Sequence, residues 1–191
     1  MAKGWCEQQD VTVPLQAGAL QLADLAVQQA CPMDVLLRKT KLFSEDLYCP
    51  TTQLAPWQLA QLYRNASLFI SRPDLPLLLG QQLLPSSLQQ HGIGLVYAPT
   101  VEQALNYLLA SQSLWSPLLH LQALSSGHHW HLYCFDSGSA LAPMEFNLAA
   151  IGVLEALRSV LLWLDPSLGD SLWQFEVPAL PESMLAECQS R

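Results

Sequence analysis

Residues 72–115 read RPDLPLLLGQQLLPSSLQQHGIGLVYAPTVEQALNYLLASQSLW, and the reading of this stretch decides the fold. Arg72-Pro73-Asp74 breaks whatever helix precedes it, because the residue before a proline is pushed out of the α region. Leu75, Leu77, Leu78, Leu79, Leu83 and Leu84 then follow in close order. That is too apolar for a surface helix, so the spacing predicts a mostly buried one. Gly80 sits among these leucines, where glycine costs about 1 kcal/mol against alanine, so another backbone is expected close by. Gly92-Ile93-Gly94 marks a turn, and Leu95 to Ala98 is a short extended or buried piece. Thr100 is a good N-cap, and Gln103 three residues on completes a capping-box pattern. Ala104, Leu105, Leu108 and Leu109 form the amphipathic stripe of the helix that follows.

Upstream, the chain reads as a helical lead-in. Val11-Thr12-Val13 is a candidate strand ended by Pro14. Ala17 to Ala30 carries Leu20, Leu22, Leu25, Ala26 and Val27 on one side of a helix, which Cys31-Pro32 breaks. Met33 to Leu42 predicts a second short helix whose cations Arg38, Lys39 and Lys41 form a solvated face. Ser44 to Pro56 is loop-like. Pro56 suits a helix start, and Trp57, Leu59, Ala60, Leu62, Tyr63, Ala66, Leu68 and Phe69 give the stripe that follows.

After Trp115 the period changes. Pro117 to Leu124 and His128 to Phe135 have strand character, and Ser125-Ser126-Gly127 between them predicts an antiparallel hairpin. On the second strand, Trp130, Leu132 and Cys134 share one face; His129, His131, Tyr133 and Phe135 share the other. Pro143 opens a long helix that ends at Asp165-Pro166-Ser167-Leu168-Gly169. Trp173 to Val177 reads as a last strand against the hairpin. The fold class is therefore α+β, with a helix-rich N-terminal half and a small antiparallel sheet beside one long buried helix. One domain over residues 1–191 is expected.

Composition narrows the function. The chain is 51% apolar and 13% charged, with a net charge of −8. It is a poor match for phosphate backbones and anionic membranes, which reward clustered lysine and arginine. Cys6, Cys31, Cys49, Cys134 and Cys188 are odd in number and widely spaced, without a CxxC, so reduced thiols in the cytoplasm are expected rather than disulfides or zinc. The apolar run Met144 to Leu164 approaches membrane-spanning length but contains Glu145, Glu155 and Arg158, which favours a buried soluble helix.

Residues with chemistry are few. His129 and His131 share a strand face with His120 across the hairpin, yet no carboxylate lies between them, so no metal site is expected. Cys134 and His131 stand three apart on a strand and point to opposite faces. Glu145 and Glu155 lie ten residues apart on one helix, about 15 Å along its axis, too far for a carboxylate dyad. No catalytic residue and no cofactor is expected. Aromatic surface with polar tips remains, as small-molecule pockets use. Tyr97, Tyr107, Trp115, Trp130, Tyr133 and Phe146 supply it, and His120 and His131 could orient a ligand.

The order of Asp74, Leu75, Leu79 and Gly80, then Gly92 to Leu95, then Pro99, Thr100, Ala104 and Leu105, resembles the N-terminal effector domain of AraC/XylS-type transcription regulators of the arabinose-binding type. The likeness runs loosely from Leu20 to Pro181. It implies a soluble, cytoplasmic, non-enzymatic domain that senses a small organic effector and forms a homodimer. It also implies that DNA is reached through a C-terminal helix-turn-helix domain. These 191 residues lack that domain, so a truncated piece or a stand-alone relative is expected. A protein–protein interaction domain without a ligand is the next reading, and a small-molecule enzyme the third.

Overall fold

The computed structural model describes residues 10–87, 95, 97–127, 129–139, 141–171 and 174. Among these lie six α-helices and two antiparallel strand pairs, and the α+β expectation holds. The first pair is minimal: β1 (Val13–Pro14) pairs with β2 (Gln53–Leu54). The strand expected over Val11 to Val13 is thus displaced by one or two residues and includes Pro14. An edge position tolerates a residue without an amide proton. The same segment, Ser44 to Pro56, was expected to be loop-like; besides β2 it holds a 3-10 helix at Ser44–Tyr48.

Helix α1 (Ala19–Gln28) buries Leu22, Leu25 and Ala26 but leaves Val27 exposed. Helix α2 (Met33–Leu36) is far shorter than the expected Met33 to Leu42. The reason is tertiary. Asn65 Nδ2 donates to both the Leu36 and Arg38 carbonyls at 2.7 Å, so the acceptors that a longer helix would use are taken. Lys39 and Lys41 turn to φ +64° and +60°. The buried Thr40 between them donates its hydroxyl to the Leu37 carbonyl and receives Gln58 Nε2 at its own carbonyl. The three cations therefore sit on turns rather than on a helix face, and Lys41 Nζ stands 5.7 Å from the centre of the Trp57 ring.

Helix α3 (Pro56–Phe69) begins with its proline as expected and buries Leu59, Leu62, Tyr63 and Ala66. Leu68 and Phe69, assigned to the same stripe, are exposed. At the break, Arg72 grips the buried Asp74 carboxylate with two parallel hydrogen bonds. Helix α4 (Leu75–Ser87) then lies along the last helix, α6 (Pro143–Leu164). The close backbone approach expected at Gly80 is present. A Cβ there would fall 2.4 Å from the Gly152 carbonyl oxygen and 2.7 Å from Glu155 Cβ.

Leu95 is buried, while the Gly92–Gly94 turn lies outside the described residues. Helix α5 (Val101–Ala110) is capped by Thr100, whose Oγ1 accepts from the Gln103 amide at 3.2 Å, which is the threonine half of the capping box. The hairpin of β3 (Leu119–Ser126) and β4 (His129–Asp136) forms as expected, with Leu121 opposite Cys134 and Ser126 opposite His129. Gly127 turns it at φ +62°. Helix α6 is long and apolar enough to cross a membrane by length and composition, but its apolar stretch is 67% buried within this fold. It packs on α4 and α3, which makes it the core helix of this structure. The strand expected at Trp173 to Val177 lies outside the described residues.

Candidate functional site

Two places gather polar or aromatic side chains. The first is internal. After α5 a 3-10 turn, Gln112–Leu114, swings the chain inward. Trp115 is thereby fully buried, and its indole nitrogen donates to the Leu108 carbonyl at 3.2 Å. Ser116 follows, 4% exposed, and its hydroxyl has no hydrogen-bond partner among the described residues. Both line a small, partly open cavity of about 10 Å³, together with Ala17, Leu59, Tyr63, Ala149 and Val153. Burial pushes the Tyr63 phenol pKa well up, so it stays uncharged. A space of this size matches a single water.

The second place is the outer face of the hairpin. Leu119, Leu121, Ala123, Leu132 and Cys134 turn toward the core, and burial pushes the Cys134 thiol up to about 12. The opposite face presents His120, Gln122, Leu124, His131, Tyr133 and Phe135. Tyr133 and Phe135 stack, with ring centres 6.5 Å apart. Gln122 Nε2 lies 3.4 Å from His120 Nε2. The amide can donate only if that ring nitrogen is unprotonated.

The eight residues chosen from sequence divide between these places and elsewhere. Trp115 lines the cavity. His120, His131 and Tyr133 share the outer hairpin face, whereas Trp130 belongs by alternation to the other face and is 40% exposed. Tyr107 and Phe146 are half-buried against the core, and Tyr97 is exposed. The eight do not line one cavity. Ser116 and Tyr63 were not among them. The signal for Ser116 was a single hydroxyl inside the apolar run Leu114 to Leu119; Tyr63 read only as part of the α3 stripe.

The carboxylates of α6 serve structure. Glu145 accepts from the Ala142 amide at the helix start and pairs with Arg64 at 3.5 Å. Glu155 is gripped by Arg158 at 2.7 and 3.0 Å, with Ser159 and Gln81 also in reach. Its hydrogen bonds hold the Arg158 guanidinium more firmly protonated.

Residues 31–169 match the family model of the arabinose-binding domain of AraC transcription regulators, N-terminal, and the chain belongs to that family. The matched span runs from just before α2 to the 3-10 turn after α6, so it contains the hairpin and every cavity-lining residue except Ala17. That family is one of regulatory ligand-binding domains, not of enzymes. No curated protein and no solved structure matches the chain.

Proposed function

We propose that this chain is a single cytoplasmic effector-sensing and dimerisation domain of an AraC-type transcription regulator, spanning residues 1–191. The observation that carries the reading is the family match over residues 31–169. The ligand is a small organic effector, and contact with DNA runs through a helix-turn-helix domain. The cavity beside Trp115 and Ser116 supports a mechanism. It is walled by α3, α6 and the segment entering β3. The space holds little more than a water, so a larger ligand bound there favours an arrangement in which those walls stand further apart. A ligand with differential affinity for two arrangements shifts the balance between them. His120, His131 and Tyr133 on the outer hairpin face offer a second, shallower place for an aromatic or uncharged effector.

Native mass spectrometry of the purified chain tests this, with the denatured mass as control. The expected result is a dimer carrying a releasable adduct on the order of a few hundred daltons, the size that ordinary pockets hold. The reading fails if no adduct appears and no metabolite class raises the melting temperature, since binding to the native state must stabilise it. A protein–protein interaction domain without a ligand would then take its place. The exposed hairpin face, which carries no lysine, arginine, aspartate or glutamate, favours that second reading.

A further inference from the structure

The geometry points to the outer edge of β4 as the pairing edge for a second copy of this chain, joining two hairpins into one four-stranded antiparallel sheet ordered β3-β4-β4-β3. This rests on the dimerisation part of the function proposed above and names the surface that performs it.

The two edges of the hairpin are not alike. Gln112 Oε1 accepts from the Leu121 amide at 2.6 Å, and its Nε2 donates to the Leu121 carbonyl at 3.3 Å. A side-chain amide thus occupies the outward backbone groups of β3 as a neighbouring strand would. Because both Leu121 groups point away from β4, the Leu121–Cys134 pair is a non-hydrogen-bonded one. Alternation then turns the backbone groups of Trp130, Leu132 and Cys134 to the outer edge of β4. Among the described residues nothing bonds them.

Natural proteins guard such an edge with lysine, proline or a bulge. This one has none. The two eight-residue strands, LHLQALSS and HWHLYCFD, hold one formal charge, Asp136. Its carboxylate is taken up by the amides of Gly138, Ser139 and Leu141. The edge is flanked by large apolar side chains in water: Trp130, Tyr133 and Phe135 are each at least 40% exposed.

Charge selects the occupant. The chain carries −8, so two copies repel wherever their general surfaces meet. An edge whose sole carboxylate is already held by nearby amides is where like chains can approach with least of that cost, and it offers an acidic or basic partner little countercharge. Symmetry agrees, since a two-fold axis sets a strand antiparallel to its own copy, which is the self-complementary contact of most dimers. Centred on Leu132, the middle of the three outward residues, Tyr133 of each copy faces His131 of the other.

The test compares the 191-residue chain with a Trp130→Lys, Tyr133→Lys double variant and with Trp163→Lys, which alters an exposed tryptophan at the end of α6. Size-exclusion chromatography with light scattering should give a dimer for the parent and for Trp163→Lys. The double variant should be a monomer with unchanged far-ultraviolet circular dichroism. A monomeric parent overturns the inference, as does a dimer indifferent to the two lysines. Effector sensing is read separately, by the adduct and melting measurements on the parent chain, so a monomeric parent leaves it standing. Should the double variant not fold, amide exchange of the parent decides. Protection at Trp130, Leu132 and Cys134 that rises with protein concentration supports the interface. Protection independent of concentration assigns the edge to a strand of the same chain and overturns it.

Discussion

Gly80 of α4 lies directly on the Gly152 carbonyl of α6, so that a Cβ on Gly80 would stand 2.4 Å from that oxygen and 3.0 Å from the Ala156 nitrogen. The two neighbours are backbone atoms in a buried helix, and neither can swing aside. The reverse substitution is different. A Cβ on Gly152 would meet Leu79 Cδ2 and the Pro76 carbonyl at 3.4 Å, which is ordinary contact at its tight end.

We therefore expect Gly80→Ala to destabilise the domain by about 1–3 kcal/mol, the overpacking cost outweighing the gain in helix propensity. Gly152→Ala should be close to neutral, since a propensity gain of about 1 kcal/mol offsets a small adjustment of Leu79. Urea unfolding of both variants checks this. Equal effects would mean that the helices slide apart freely.

Asn65→Ala should cost about 2–3 kcal/mol. It removes three side-chain hydrogen bonds, the one accepted from Gln61 and the two that Nδ2 donates, and leaves the carbonyls of Leu36 and Arg38 to find other partners in a partly buried turn. Thermal unfolding would show the loss, and a change below about 0.5 kcal/mol, the size of an ordinary surface substitution, would reject the account of why α2 stops at Leu36.

Ser116→Ala should leave the ligand-free protein unchanged or more stable by up to about 1 kcal/mol, because the hydroxyl is buried without a partner among the described residues. A clear loss of stability in chemical denaturation would instead reveal a bound water or ligand at that oxygen.

The cysteines should react unequally. Cys49 is exposed, and the Thr51 hydroxyl lowers its thiol pKa, whereas burial raises those of Cys31 and Cys134. At pH 8 a disulfide reagent should modify Cys49 quickly and the other two only as fast as the domain opens. Peptide mapping of the labelled protein reads the order, and early labelling of Cys134 would contradict the packing of β4.

Stability should fall with alkaline pH. Cys134 holds its proton up to about 12 when folded, against an ordinary 9.0. Above about pH 9 the unfolded chain has lost that proton while the native one keeps it, so fewer protons are bound when unfolded and the slope of stability with pH is negative. Burial of Tyr63 adds to the slope from about pH 10. Cys134→Ala should flatten the fall between pH 9 and 12 in a denaturation series. An unchanged slope would assign the thiol an ordinary pKa.

Local chemistry alone made much of this fold legible. Pro56 and Pro143 start helices because a proline needs no amide acceptor at the first helical position. Thr100 caps α5, Gly127 turns the hairpin, and alternation along β4 sorts Leu132 and Cys134 from His131 and Tyr133. Each depends on residues within a few positions of one another, and the family likeness rests on the order of such signals.

What only the tertiary structure decided involves partners far apart in the chain. Met33 to Leu42 has helical spacing, yet Asn65, 29 residues beyond Leu36, takes the carbonyl that would continue the helix. Leu68 and Phe69 follow the α3 stripe but are exposed, since no element among the described residues covers them. The ligand candidates show the same limit. Aromatic residues with polar tips can be picked from a sequence, but which of them converge depends on how the helices and the hairpin meet. That meeting buried Trp115 beside a lone serine hydroxyl, spread His120, His131 and Tyr133 over an outer face, and set Gln112 along one edge of the hairpin. Side-chain period and capping act over one turn or one strand; convergence is set by packing between elements, which no local pattern encodes.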